Sequence, residues 1–92
     1  MKKEATGFFN YFLLVNDAGT PIAVEIDGIE AFSLNDVVKV TDDGNGYICS
    51  GISKPGMGRI IEIRRHDTDH FFGVQMENGE FGYMKCSRMT RL

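Results

Sequence analysis

The 92-residue chain has no tryptophan, two prolines and two cysteines, and each scarcity removes a class of explanation. Cys49 and Cys86 stand far apart and form no CxxC pair. With no secretion-type stretch opening the chain, both read as reduced, half-buried thiols of a cytoplasmic protein. The longest apolar run, Tyr11 to Val15, is too short to span a membrane. No segment sustains a 3.6-residue period, no heptads occur and no repeat is present, which excludes coiled-coil and solenoid architectures. There is no GxSxG, and neither the serines nor the cysteines sit in a nucleophile setting. Gly56-Met57-Gly58-Arg59 precedes a strand and not a helix, so it is no phosphate loop. No catalytic residue and no cofactor are expected.

Charge is present but uneven. The net charge is −3. Residues 1–53 carry three lysines against eight carboxylates, a balance of −5, and residues 54–92 carry seven cations against five carboxylates, a balance of +2. The excess is too small for a general nucleic-acid coat, but it leaves a local basic face in the second half.

Eleven glycines punctuate short apolar segments. Residues 1–6 are polar and read as frayed. Phe8 to Val15 suits a strand. Ile22, Val24 and Ile26 alternate with Ala23 and Glu25, a period of two. Asp27-Gly28 signals a tight hairpin, with Ile29 to Phe32 returning. Further strands are expected over Val37–Val40, Ile60–Arg64, Phe71–Met76 and Glu80–Met84, with Asn78-Gly79 a second hairpin signal. Gly51 to Gly58 reads as a loop, Cys86 to Met89 as one helical turn, and Thr90 to Leu92 as a last edge strand. Short strands with frequent turns predict an all-β fold, a small barrel or sandwich, with a β-meander or hairpin extension over residues 1–36 ahead of residues 37–92.

From Val37 onward the order of parts resembles a Src-homology-3 (SH3) domain. "GISKPGMGRIIEI", Gly51 to Ile63, resembles the diverging turn and second strand of that family. "RRHDTDHFFGVQ", Arg64 to Gln75, resembles its n-Src loop and third strand. "NGEFGYMKCSRM", Asn78 to Met89, resembles its distal hairpin, 3₁₀ turn and last strand. The resemblance implies an SH3-like barrel whose ligand groove would carry Phe71, Tyr83, Lys85 and Arg88. Lys85, Ser87 and Arg88 replace the family's proline, asparagine and tyrosine, and Phe71 stands where the family has its groove tryptophan. A polyproline groove needs parallel aromatic walls, so proline-rich peptides are not the expected ligand. The same barrel also resembles KOW and Tudor-type modules, which act on nucleic acid or modified tails.

Period-two alternation places Phe72, Val74 and Met76 inward, with Phe71 on the opposite face. The expected core is Val38, Val40, Ile61, Ile63, Phe72, Val74, Met76, Met84 and Met89, with Leu92 closing the bottom. His66-Asp67-Thr68-Asp69-His70 offers two imidazoles and two carboxylates to a divalent metal, but it reads better as a polar hairpin loop, and no metal site is expected. Asp42-Asp43-Gly44-Asn45-Gly46 lacks the spacing of a calcium loop. The better candidates are Phe71, Tyr83, Lys85 and Arg88, an aromatic and cationic surface, and the aromatic segment with Phe8 and Tyr11. Phe8, Phe9, Tyr11 and Phe12 cannot all point inward from one strand, so a second layer or a partner covers some of them. The expected function is a non-enzymatic module that docks a protein partner, acidic or a second copy of itself. The alternative is a nucleic-acid-binding barrel using the C-terminal arginines and aromatics.

Overall fold

The computed structural model describes residues 1–67 and 69–92. The chain is all-β, in two antiparallel sheets. The first holds β1 (Lys2–Ala5), β2 (Tyr11–Val15), β3 (Pro21–Ile26) and β4 (Ile29–Ser33) in sequence order. The second holds β5 (Val37–Val40), β6 (Gly56–His66), β7 (Asp69–Met76), β8 (Phe81–Met84) and β9 (Met89–Arg91), in the spatial order β8-β7-β6-β5-β9. One 3₁₀ turn, Cys86–Arg88, precedes β9. Among the described residues no helix is long and apolar enough to cross a membrane.

The amino terminus departs from expectation. Lys2–Ala5 does not fray but pairs along β2, from Lys2 opposite Val15 to Ala5 opposite Phe12. Its polarity is that of an edge strand. Lys3 Nζ lies 2.8 Å from Glu25, and Glu4 accepts two hydrogen bonds from Arg65 at 2.6 and 2.8 Å, tying β1 to the second sheet. The aromatic strand starts later than expected, at Tyr11, and Phe8 and Phe9 fall in the loop before it.

Hairpin chemistry follows the glycines. Asp27 and Gly28 both take left-handed φ, 54° and 82°, as a two-residue type I′ turn demands. Two other hairpins share a different design. Gly19 N–H donates to Asn16 O and Asn16 N–H to Thr20 O, while Gly79 N–H donates to Met76 O and Met76 N–H to Glu80 O. In both, glycine alone takes the left-handed position after an ordinary turn.

A β-bulge in β6 overturns one core assignment. Ile60 faces Val74 and Glu62 faces Gly73, leaving Ile61 as the extra residue. Side-chain parity inverts there: Ile61 is 48% exposed, and Ile60, fully buried, takes its place in the core. The other eight expected core residues are buried. Leu92 is 73% exposed, because pairing ends at Arg91 and nothing holds the last residue against the core. One continuous cluster joins these residues to Tyr11, Leu13, Val15, Val24 and Phe32 of the first sheet and to Ile48 and Ile52 between β5 and β6.

The expected loop ends early, since β6 begins at Gly56. Its first part lies on β8. A Cβ at Gly51 would sit 2.3 Å from the Phe81 carbonyl oxygen, and one at Gly82 would sit 2.7 Å from Cys49 Sγ and Ser50 O. Bare backbone at both positions lets the segment lie against β8. Cys49 and Cys86 are free thiols.

Candidate functional site

Strand alternation builds the site from β7 outward. Asp69 and Phe71 face one side, and His70 and Phe72 face the other. On the outer side Gly73 pairs with Tyr83, which brings the tyrosine next to Glu62 of β6. The Tyr83 hydroxyl donates to Glu62 Oε1 at 2.6 Å, and this bond raises its pKa. Arg64 lies over the Tyr83 ring at 4.9 Å and pairs with Glu62 at 3.3 Å. Lys85 sits 4.7 Å from the Phe71 ring centroid and pairs with Asp69. That ammonium, with the His70 backbone N–H, holds the Asp69 carboxyl below its ordinary pKa.

Two of the pockets on this framework meet at Lys85 and Ser87. One, of about 170 Å³, is lined by Tyr47, Phe71, Tyr83, Lys85, Ser87 and Arg88, with Ile48, Cys49 and Met84 beneath. Arg88 is the unsatisfied cation here. Its Nε is shielded from solvent and has no hydrogen-bond partner, and among the described residues no carboxylate forms an ion pair with it. Asp43, nearby, is occupied by the N–H groups of Asn45 and Tyr47, which lower its pKa with a smaller contribution from Arg88.

The other pocket, of about 340 Å³, lies where the two sheets meet and is lined by Phe8, Tyr11, Asp69, His70, Lys85, Cys86 and Ser87. Its floor is the buried pair Tyr11 and His70, joined between the phenol oxygen and Nε2 at 2.7 Å. Burial lowers the His70 pKa and raises that of Tyr11, so both are neutral near pH 7. Ring stacking continues through the floor: Phe8 to Tyr11 at 5.8 Å, Tyr11 to His70 at 5.1 Å and His70 to Phe72 at 5.5 Å.

All six candidate residues line these two pockets, which share Lys85 and Ser87. The geometry changes two of the expectations. Phe8 and Tyr11 do not belong to one exposed strand, because Tyr11 is buried and Phe8, in the loop, is 61% exposed. The groove is also less cationic than its composition, since Asp69 and Glu62 neutralise Lys85 and Arg64 and leave Arg88 alone. Tyr47, 59% exposed, and Ser87 carry no signal in the sequence beyond their residue type. His70 does carry one: alternation alone puts it on the Phe72 side. His66 is exposed and His70 buried, on opposite faces of the hairpin, while Thr68 of the same loop lies outside the described residues. Among the described residues no group of three or more His, Cys, Asp or Glu side chains converges. Comparison with known protein families, characterised proteins and solved structures gives no match for this chain.

Proposed function

We propose that this chain is a non-enzymatic binding module, SH3-like over residues 37–92, that docks an acidic segment of a partner protein in the Arg88 pocket. The observation that carries the reading is the guanidinium itself. Arg88 is half-buried, its Nε is shielded and unpartnered, and Tyr47, Phe71 and Tyr83 stand around it. An unsatisfied buried donor costs roughly 1–3 kcal/mol, which a ligand supplying a carboxylate recovers. A planar guanidinium among aromatic faces suits a bidentate carboxylate. The SH3-like reading is supported by the strand order β8-β7-β6-β5-β9 and by the 3₁₀ turn ahead of the final strand.

The distribution of cations favours protein over nucleic acid. Lys3, Arg64, Arg65, Lys85 and Arg91 are each paired with a carboxylate. Of the remaining Lys2, Lys39, Lys54, Arg59 and Arg88, Lys39 and Arg59 are neighbours on the paired strands β5 and β6, and two adjacent cations are too few to make a track for a phosphate backbone. The test is an NMR titration with short peptides carrying Asp or Glu beside an apolar residue, run alongside a PxxP peptide and a single-stranded oligonucleotide. The acidic peptide is expected to shift the Arg88 Nε–H resonance, with binding weakened by salt and at least tenfold by Arg88→Leu. Stronger binding of the oligonucleotide, or acidic-peptide binding that Arg88→Leu leaves intact, overturns the reading.

A further inference from the structure

The larger pocket, between the sheets, has a polar edge that its own hydrogen bonds do not use up. The Tyr11 phenol and the His70 imidazole share one bond at 2.7 Å. As neutral groups they carry two polar hydrogens between them, so one donor is spare whichever way the bond runs. The Asp69 carboxylate decides where it sits. Asp69 Oδ1 lies 3.9 Å from His70 Nδ1, too far for a hydrogen bond but near enough to favour the tautomer with its proton on Nδ1. Tyr11 then donates to Nε2, and among the described residues the Nδ1–H has no partner, on a side chain only 3% exposed. We propose that this pocket binds an adenine-type base, a neutral fused heteroaromatic ring with a ring-nitrogen acceptor beside an amino donor, presented as a free nucleoside.

The occupant follows from the pattern of polar groups and from the space. Asp69 and His70 leave β7 on opposite sides, yet both line this cavity. Asp69 Oδ1 accepts the His70 backbone N–H at 2.8 Å and Oδ2 takes Lys85, and a carboxylate oxygen has a second lone pair to offer. A donor and an acceptor therefore stand side by side. Adenine carries their complement along one edge, where N7 accepts and the 6-amino group donates. A base with O6 in place of that amino group sets acceptor against acceptor at Asp69. An apolar ring leaves the Nδ1–H covered and unpaired. The volume of about 340 Å³ is more than one ring fills and lies at the low end of the roughly 300–1,000 Å³ typical of ligand pockets, which suits a fused pair of rings. Phe8, Tyr11 and His70 supply aromatic walls, and such rings take a base by stacking. Lys85, the one cation lining the cavity, is taken by Asp69, so no phosphate is called for and a free nucleoside fits better than a base within a strand. Arg88 has no part in this site, since it lines the other pocket.

The test is an NMR titration of the full chain with adenosine, to about 5 mM, with inosine and a short oligonucleotide of adenines alongside. Adenosine is expected to shift the Tyr11, His70 and Cys86 amide resonances saturably and to slow exchange of the His70 Nδ1 proton. Inosine should bind about tenfold more weakly, and Asp69→Leu should bring the two nucleosides level. Phe8→Ser, in an exposed loop, should weaken adenosine about tenfold with the melting temperature unchanged. Arg88→Leu should leave adenosine binding intact while it weakens that of acidic peptides, so the two sites stand or fall separately. Adenosine that causes no saturable shift at these amides overturns the proposal, as does inosine that binds equally well. An oligonucleotide bound more than about tenfold tighter than adenosine also overturns it, because the base is then read within a strand.

Discussion

Between the sheets, Tyr11 and His70 share a hydrogen bond out of water, while across Lys85 the Arg88 Nε is equally shielded and has no partner. The two pockets share a wall and differ in what they leave undone. The first is neutral and lined mainly by apolar surface, with its buried phenol and imidazole bonded to each other. The second holds an unpaired donor whose cost a ligand removes. Where two cavities adjoin, unsatisfied polarity points to ligand recognition more directly than volume does, since the larger cavity here is the one whose buried floor groups are bonded to each other.

The largest expected effect removes the sheet that supports both pockets. Ile60→Asp should destabilise the fold by about 3–5 kcal/mol, because a fully buried site gains an unpaired charge. That is a large share of the roughly 5–15 kcal/mol available to a domain. Ile61→Asp, one residue along but turned outward by the bulge, should stay within about 0.5 kcal/mol of the parent. Chemical denaturation of the two variants reads the bulge directly, and equal losses of stability would mean that Ile61 is not turned outward.

The next effect separates the pockets. Tyr11→Phe leaves His70 Nε2 buried without its partner and should cost about 1–3 kcal/mol. Arg88→Leu removes a donor that has no partner and should be neutral or stabilising. A thermal unfolding comparison in which Arg88→Leu is the more damaging would reverse the assignment of roles.

A smaller effect comes with acid. Burial holds the His70 pKa below 6.5, with Lys85 adding to the depression and Asp69 opposing it. The folded protein therefore binds this proton less tightly than the unfolded chain does. The contribution of His70 is complete above about pH 6.5 and is lost as pH falls through the folded-state value. The depressed carboxylates Glu4, Asp43, Asp69 and Glu80 lose their contributions lower, below about pH 4. Denaturation midpoints should decline as pH falls below about 6.5, and His70→Gln should flatten the first part of that decline. The smallest effect is at the shared wall: Lys85→Met breaks a half-exposed ion pair and should cost no more than about 1 kcal/mol.

Much of the fold is legible in the residues themselves. Asp27-Gly28 and Asn78-Gly79 mark hairpins because left-handed backbone needs residues that tolerate it. Alternation along β7 separates Phe71 from Phe72, and the all-β class follows from short strands between glycine-rich turns. Val37–Val40 agrees at both ends. The candidate residues stand out by type, as aromatics and cations without an obvious core role. Their partners do not, because an ion pair such as Lys85 with Asp69 joins positions 16 residues apart through a sheet register that composition does not encode.

Local chemistry, then, is decided by the sequence itself: where the chain turns and which strands alternate. Each of these depends on neighbours within a few positions. Tertiary structure alone decides the rest. The bulge exchanges Ile60 for Ile61 because the pairing of β6 with β7 absorbs an extra residue. Lys2–Ala5 becomes a strand because β2 offers an open edge, with Glu4 held by Arg65 from 61 residues away. Tyr11 meets His70 across 59 residues, and Arg88 is left unpaired because Asp69 and Glu62 are taken by Lys85 and Arg64. These outcomes turn on which charges and edges meet in space, and the same residues in another register would give a different pocket its free cation.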